Sequence, residues 1–440
     1  MSEFVYDYFG IADVQEDPSI LSVFSQDNYL AVRISLPSTT QPQSPSPSLS
    51  SRPKTQPIHL GLLIDVSESM AEGRLAAVKR TLHAARSAFQ PQDSVTLVVF
   101  GDVGKAIVVN HRMDEAGKDV FYKDLDDIAT AGCTNMSSGL EILNAVQTRN
   151  NPYDAVIVLT DGEVNRGIES TEGLTAMAQT IGNGKGLTFH MLGYGANHNR
   201  ILLRVLATQT CGVYQYIQSD EQVSSSFGDS IGNTRAVELR NVSLQLPAGW
   251  KCMEVSPAIG DVVPGREIWA VYRRDSDASP ASPATVRLTG WKKSGLSVSI
   301  QATKMTPTED SSMVLMQILR ARVSHALSEL SNILESNRVI RRRTIHHRMD
   351  GSRNALTLLQ EELHALSSNP DIRVKPLFLH MKAQIAEALT QNESDEMDDS
   401  LARLSSAAAG MCTQRAVDAD LFTSPAGRDS AQRVHTQYSS

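Results

Sequence analysis

The chain has 440 residues, of which 41% are hydrophobic and 20% charged, and this length exceeds what one hydrophobic core usually serves. Two or three globular domains are therefore expected, and the longest apolar runs have the length of strands rather than of membrane-spanning helices. A formal net charge of -8 argues against a general nucleic-acid binder, and four widely spaced cysteines argue against a disulfide framework or a structural zinc site.

The N-terminal region combines a strand with a linker. Residues 28–36 alternate polar and apolar side chains, which predicts one strand within an N-terminal segment that spans residues 1–37. Residues 38–56 are rich in Pro, Ser, Thr and Gln, a composition typical of a linker. Because the first residues show neither a basic nor an apolar leader, we expect the protein in the cytoplasm.

Residues 57–235 predict an α/β domain with a doubly wound, mostly parallel, Rossmann-like sheet. Short apolar runs alternate there with stretches of helical periodicity, which is the order expected of stacked β-α units. The predicted strands are residues 58–66, 94–100, 155–160 and 187–192, and the predicted helices are residues 74–89, 138–148, 171–181 and 199–207.

The second half of the chain predicts three further regions. Residues 236–306 contain short alternating segments separated by Pro and Gly, which predicts a small antiparallel β domain. Because the strand at residues 28–36 has no neighbour in sequence to pair with, we hypothesise that it crosses back to complete this domain. Residues 310–417 carry apolar stripes at helical spacing, typical of a helical hairpin or bundle, and residues 418–440 predict a flexible tail.

Oxygen-bearing side chains follow two predicted strands of the α/β domain. Asp65, Ser67 and Ser69 come where the first strand ends, Asp161 follows the third, and Thr134 lies in a loop between them. In an open α/β sheet, ligands bind at the carboxyl ends of the strands, so we expect these side chains to share one edge. Few carboxylates with neutral oxygens, and no His or Cys suited to zinc, favour Mg²⁺ or Mn²⁺ over Ca²⁺, which takes about 6 to 8 oxygens.

This ordered pattern resembles the von Willebrand factor A-type fold with a metal-ion-dependent adhesion site. The family pattern is Asp-x-Ser-x-Ser, then a Thr, then an Asp after a later strand, and all three elements are present in that order. The resemblance implies that Ser67, Ser69 and Thr134 contact the metal directly, whereas Asp65 and Asp161 act largely through water. Some intracellular members also carry a trailing β segment and C-terminal helices, and the order of elements here is similar to theirs.

Two positions depart from the pattern of that subgroup. Glu68 stands between the serines where Gly is usual, and Cys133 stands before Thr134 where a second Gly is common. Glu68 adds negative charge beside the cation, so it either strengthens metal binding or occupies the place of a partner. Because neither side chain is comfortable at positive φ, the loops cannot depend on a glycine-only conformation at these positions.

Three functions are compatible with the pattern. The first is a non-enzymatic adaptor or scaffold whose cation accepts a carboxylate from a protein partner. The second is an accessory subunit of an AAA+ ATPase machine of the chelatase type, in which the ATPase is another polypeptide because this chain has no Gly-x-x-x-x-Gly-Lys-Ser/Thr motif. The third and weakest is a metal-dependent hydrolase with Glu68 or Glu163 as base, since no His base or paired nucleophile accompanies the cation. We therefore expect a binding protein without catalytic residues, without a nucleic-acid partner and without membrane insertion.

The remaining groups of chemical interest predict structural roles. The basic stretch at residues 338–353 contains no interleaved aromatic residues, which favours a solvated helix face over an acidic-partner or nucleic-acid patch. His111, His190 and His198 lack the pairwise spacing of metal ligands and are expected to be ordinary fold histidines.

Overall fold

The protein folds into an α/β domain, two antiparallel sheets and a set of C-terminal helices. The structure is a computed structural model, and it describes residues 17, 19–37, 56–71, 73–147, 151–160, 164–181, 186–194, 199–217, 220–253, 259–275, 285–293, 295–302, 311–339, 346–369 and 376–390. The predicted tail, Asp161, Glu163, His198 and most of the predicted linker lie outside these residues, as do residues 340–345 of the basic stretch.

The elements are numbered in chain order. The strands are β1 (Leu21–Gln26), β2 (Tyr29–Ser35), β3 (His59–Asp65), β4 (Ser94–Phe100), β5 (Gly104–Arg112), β6 (Ala155–Thr160), β7 (Thr188–Tyr194), β8 (Tyr214–Ile217), β9 (Leu239–Gln245), β10 (Trp250–Cys252), β11 (Gly260–Val262), β12 (Glu267–Arg274), β13 (Val286–Lys292) and β14 (Ser297–Ala302). The helices are α1 (Arg74–Ala84), α2 (Glu115–Asp126), α3 (Met136–Val146), α4 (Thr171–Thr180), α5 (Arg200–Gln209), α6 (Asp220–Ala236), α7 (Ser311–Val339), α8 (His346–Leu366) and α9 (Pro376–Thr390).

The α/β domain is built on a six-stranded sheet in the order β5-β4-β3-β6-β7-β8. All neighbouring strands are parallel except β5, which runs antiparallel to β4 at the edge. Buried side chains of α1, α2 and α6 pack on one face, and those of α3, α4 and α5 pack on the other. The predicted doubly wound, mostly parallel sheet is therefore confirmed.

Two four-stranded antiparallel sheets form the β region, in the orders β1-β2-β12-β10 and β11-β9-β13-β14. Side chains of both sheets share one core, in which Val32 and Ile34 of the first sheet join Val242 and Leu288 of the second. Strand β2 pairs with β12 from Ser35 opposite Glu267 onwards, so the described strands of the N-terminal segment, β1 and β2, belong to this region. The sequence pattern predicted antiparallel strands, but it indicated neither β1 nor the division into two sheets.

The C-terminal helices pack on one another and on the β region. Helix α7 places Val314 and Ile318 against Trp269 and Val271, on the face of the first sheet that points away from the second. Other residues of α7 form a shared apolar core with α8 and α9. Among the described residues, no helix combines the length and the apolar character needed to cross a membrane.

Polar contacts join the α/β domain to the other regions. Asp154, just before β6, forms an ion pair with Arg240 of β9, and the Thr188 hydroxyl at the start of β7 donates to Asp261 Oδ2 at 2.9 Å. On α5, Arg204 donates from Nη1 to the Ser328 hydroxyl of α7 at 3.3 Å. The first two contacts lie at the amino end of the sheet, opposite the edge where the candidate site residues follow the strands.

Candidate functional site

Asp65 is the last residue of β3, and its carboxylate is fixed from two sides. The residue is fully buried, with 0% of its surface exposed. Its Oδ1 accepts the backbone N–H of Ser67 at 2.8 Å, and its Oδ2 accepts the hydroxyl of Thr160 at 2.6 Å. Thr160 ends the adjacent strand β6. The two hydrogen bonds satisfy a buried polar group that would otherwise be costly, so the carboxyl group is held in one position at the carboxyl end of the sheet.

Ser67 and Ser69 present two hydroxyls next to this carboxylate. Their Oγ atoms lie 3.0 Å apart, with Ser67 buried and Ser69 exposed. The residues Glu68–Met70 form a short 3₁₀ turn, and Met70 anchors it in the core with 0% exposure. Two adjacent ligands of an octahedral Mg²⁺, each at about 2.1 Å from the ion, are about 3 Å apart. The spacing of the two hydroxyl oxygens therefore fits such an ion.

Thr134 lies on a neighbouring loop that is tied to the serine loop. The backbone N–H of Glu68 donates to the Gly132 carbonyl at 3.1 Å, and the N–H of Ala131 donates to the Val66 carbonyl at 2.6 Å. Thr134 itself is 2% exposed, and its backbone N–H donates to Asn165 Oδ1 at 2.9 Å. These bonds hold the Thr134 loop against the loop that carries the serines.

Four of the five predicted ligands are described, and they lie on the two joined loops. Asp65, Ser67 and Ser69 are connected by direct hydrogen bonds, and Thr134 sits on the loop beside them. Asp161, the fifth, lies outside the described residues. Its role in the site stays a prediction.

The two atypical residues adopt ordinary backbone conformations. Glu68 and Cys133 are absent from the described residues with positive φ, and the positive value in this loop falls on Gly132, at 75°. A Cβ atom on Gly132 would lie 2.4 Å from the Asp102 carboxylate, so this position admits only glycine. The Glu68 side chain is exposed, and no hydrogen bond or ion pair holds it among the described residues.

Asp102 and Arg166 support the site, although the sequence pattern does not predict a role for either residue. Asp102 Oδ1 accepts the backbone N–H of Cys133 at 3.1 Å and Nη1 of Arg166 at 2.5 Å. The Cys133 N–H, and after it Arg166, lower the pKa of the Asp102 carboxyl below its usual value. One signal was present in the sequence, because Asp102 follows the end of β4 as Asp65 ends β3. Arg166 is 64 residues away in sequence, and no local pattern points to it.

The donor set suits a hard cation. Among the described residues, no three His, Cys, Asp or Glu side chains are grouped so that they could hold a metal ion. A metal at this edge would therefore depend on hydroxyl oxygens supported by a carboxylate. Mg²⁺ and Mn²⁺ accept such oxygen ligands.

Comparisons with known proteins identify the domain that contains the candidate metal site. Residues 60–163 match the family model of the von Willebrand factor type A domain, so the predicted type of domain is confirmed over these residues. The chain is 27% identical over 207 residues to inter-alpha-trypsin inhibitor heavy chain H1 of Mesocricetus auratus, covering 43% of this chain and 22% of that protein. It is 24% identical over 192 residues to an uncharacterized protein of Synechocystis, covering 43% of this chain and 44% of that protein. The chain thus spans less than half the length of the curated relatives it matches.

Solved structures resemble the chain over most of its length. A von Willebrand factor type A protein from Catenulispora acidiphila has a TM-score of 0.59 at 13% identity, covering 90% of this chain and 95% of that one. The ArnB paralog VWA2 from Sulfolobus acidocaldarius has a TM-score of 0.54 at 14% identity, covering 88% and 93%. At these identities the likeness establishes the fold, and it includes the β region and the helices as well as the α/β domain.

Proposed function

We propose that this protein, which carries a von Willebrand factor A-type domain, is a non-enzymatic adaptor that binds a protein partner through a divalent cation. The match of residues 60–163 to the family model supports the proposal, because the adhesion-site motif that the sequence resembles serves in protein binding through a divalent metal. The observation that carries the proposal is the pair of hydroxyl oxygens, Ser67 Oγ and Ser69 Oγ, 3.0 Å apart beside the buried Asp65. The proposed ligands are Asp65, Ser67, Ser69, Thr134 and Asp161, and the proposed ion is Mg²⁺ or Mn²⁺.

Buried and exposed groups have different roles in the proposed site. Asp65 is buried and already accepts two hydrogen bonds, so it supplies negative charge and orients its neighbours rather than facing a partner. Ser69 is exposed, which leaves the outer side of the site open to solvent. A bound cation with few protein ligands retains positions for water, and a carboxylate of the partner would replace one of these waters.

Glu68 decides whether the outer position is available to a partner. Its side chain is exposed and makes no hydrogen bond or ion pair among the described residues. This exposure supports the proposal that Glu68 leaves the outer position free. We expect Glu68→Gly to preserve partner binding. The change removes a negative charge, but it opens no new ligand position, because the outer position is already free.

An accessory role beside an AAA+ ATPase is the alternative. It shares the same metal site and differs only in the partner, so co-purification with an ATPase distinguishes it from an independent adaptor. The cytoplasm is the expected compartment for either role.

Metal binding is the first test of the proposal. We expect the wild-type chain to bind Mn²⁺ and Asp65→Asn to bind it about 10- to 100-fold more weakly, because the carboxylate orients the hydroxyl ligands and adds charge. Isothermal titration measures the affinity, and circular dichroism checks the fold of each variant.

Ser69→Ala and Ser87→Ala form a matched pair for this titration. Both serines are exposed in the same domain, but only Ser69 is a proposed ligand. We expect Ser69→Ala to weaken Mn²⁺ binding and Ser87→Ala to leave it unchanged. Equal affinities for wild type and Asp65→Asn would rule out the proposed site.

A further inference from the structure

A cavity of about 600 Å³ opens beside the candidate metal site. It lies between β5 and the carboxyl end of α2. Val66, in the loop that carries Ser67 and Ser69, forms part of its wall. Val66 separates Asp65 from Ser67 in sequence, and Ala131 of the neighbouring loop also lines the cavity. The cavity and the proposed metal site therefore share a wall.

The buried part of the cavity wall is apolar. Val66 and Val99 are each 6% exposed and Ile128 is 9% exposed, so the cavity reaches down to the core. At the rim, Val103 is 68% exposed, which is unusual for a large apolar side chain next to an open cavity. An apolar side chain from outside would bury both itself and Val103 on entering.

Charged groups surround the mouth of the cavity. Asp124 and Asp127 line it at the end of α2, and neither carboxylate takes part in an ion pair among the described residues. Asp102, which also lines the cavity, is already paired with Arg166. Lys105 is the cation of the lining residues. The two unpaired carboxylates favour a ligand that carries a basic group beside its apolar one.

The strand register gives the separation between the two sites. Asp65 of β3 pairs with Phe100 of β4, and Phe100 pairs with Gly104 of β5, next to Val103 and Lys105. Adjacent strands lie about 4.8 Å apart, so the rim is about 10 Å from Asp65. An extended peptide covers this distance in about three residues.

We propose that the cavity receives an apolar side chain of the partner segment, two or three residues from the acidic residue that binds the cation. A basic residue beyond it would face Asp124 and Asp127. This inference rests on the proposed metal-dependent function and specifies the chemistry of the partner: an acidic, then an apolar, then a basic residue in one extended segment.

A library of displayed short peptides with a fixed central Glu tests the inference. The immobilised full-length protein selects peptides in the presence of Mn²⁺, and chelator releases them. We expect enrichment of Leu, Ile, Val, Met or Phe two or three positions from the Glu, followed by Lys or Arg. In a selected peptide, replacing the apolar residue by Ser is expected to weaken binding about tenfold.

Two alanines, one within α2 and one in the loop after it, provide a matched pair of variants. Ala129 lines the cavity and Ala116 lies near the start of α2, and both are exposed. Ala129→Trp places an indole in the cavity and is expected to abolish the apolar preference, whereas Ala116→Trp is expected to retain it. Asp124→Asn combined with Asp127→Asn is expected to reduce the basic preference.

The outcomes separate this inference from the proposed function. A chelator-released pool without an apolar preference, or with the same preference in Ala129→Trp, overturns the inference alone. If a segment of this chain occupied the cavity, the selected pool would also lack an apolar preference, because the cavity would already be filled. If Asp65→Asn selects the same peptides as the wild type, or if no peptide is enriched, the inference falls, and the Mn²⁺ titration decides separately whether the metal site stands.

Discussion

At the scale of single residues, His190 shows how burial determines a protonation state. His190 lies on β7 with 9% of its surface exposed, and its Nδ1 accepts the backbone N–H of Val213 at 3.4 Å. Burial lowers its pKa from 6.5 to about 4. A ring that accepts a hydrogen bond and avoids protonation is suited to a structural role rather than to that of a proton-transfer group.

His190 is expected to make the fold sensitive to acid. Its folded-state pKa lies below its unfolded value, so the unfolded chain binds the proton more readily between these two values. The stabilising contribution of the neutral ring is fully present above pH 6.5 and is lost as the pH falls towards 4. The free energy of unfolding should decrease over this window by up to about 3 kcal/mol.

Urea denaturation of wild type and His190→Asn at pH 7 and in the acid range measures this term. Asn retains an acceptor for the Val213 N–H but does not titrate. We expect a shallower acid dependence in the variant, and the residual slope reports other groups, such as His59, whose pKa burial also lowers. Identical slopes in the two proteins would contradict the assignment to His190.

At the scale of elements, a glycine permits two loops to meet at the candidate metal site. Gly101 follows β4, and a Cβ atom there would lie 2.3 Å from the Ala131 carbonyl oxygen. The Ala131 N–H donates to Val66, and the Gly101 carbonyl accepts the N–H of Asn135 at 2.9 Å. Close approach at this glycine therefore positions the Thr134 loop.

We expect Gly101→Ala to displace the Thr134 loop. The free energy of unfolding should fall by about 1–3 kcal/mol because backbone must shift, and Mn²⁺ affinity should fall with it. Gly351→Ala in α8 is the control, since nothing lies within 4 Å of its added Cβ. It should stabilise the helix by about 0.5–1 kcal/mol and leave Mn²⁺ affinity unchanged. Wild-type affinity in Gly101→Ala would show that the loop contact does not matter for the metal.

The elements also show what the sequence could predict. Strands β3, β4, β6 and β7 are buried on both faces and appear as near-continuous apolar runs, so the sequence predicts them. The sequence does not predict strand β5, because this edge strand has mixed exposure, nor β8, because it has only 4 residues. Helices α2 and α6 were also missed.

The candidate site divides in the same way. Asp65, Ser67 and Ser69 form a local spacing that a sequence displays directly, and the structure joins them by hydrogen bonds. Asp102 and Arg166 act through a contact between distant loops, which no short pattern encodes. Ligands that lie within one loop can be predicted from the sequence. The residues of other loops that support them can be identified only from the folded structure.

At the scale of the whole molecule, strands β1 and β2 are part of the β region despite their distance in sequence from its other strands. Seven residues of β2 pair with β12, and β1 pairs with β2 in turn. Ile34 is 0% exposed, and Phe24 stacks on Trp269 with ring centroids 5.4 Å apart. Helix α7 then covers Trp269 and its neighbours, so three distant parts of the chain complete one layer.

This architecture predicts that the N-terminal segment stays bound after the chain is cut. A protease site inserted within residues 38–55 allows cleavage between β2 and β3. We expect the two fragments to co-elute in size-exclusion chromatography under native conditions and to separate in denaturant, because backbone pairing and the buried apolar side chains hold the segment. Ile34→Ala removes buried contacts worth about 2–5 kcal/mol and should release the fragment more readily. Separation of the wild-type fragments in native buffer would mean that β1 and β2 depend on the covalent connection to stay in the first sheet.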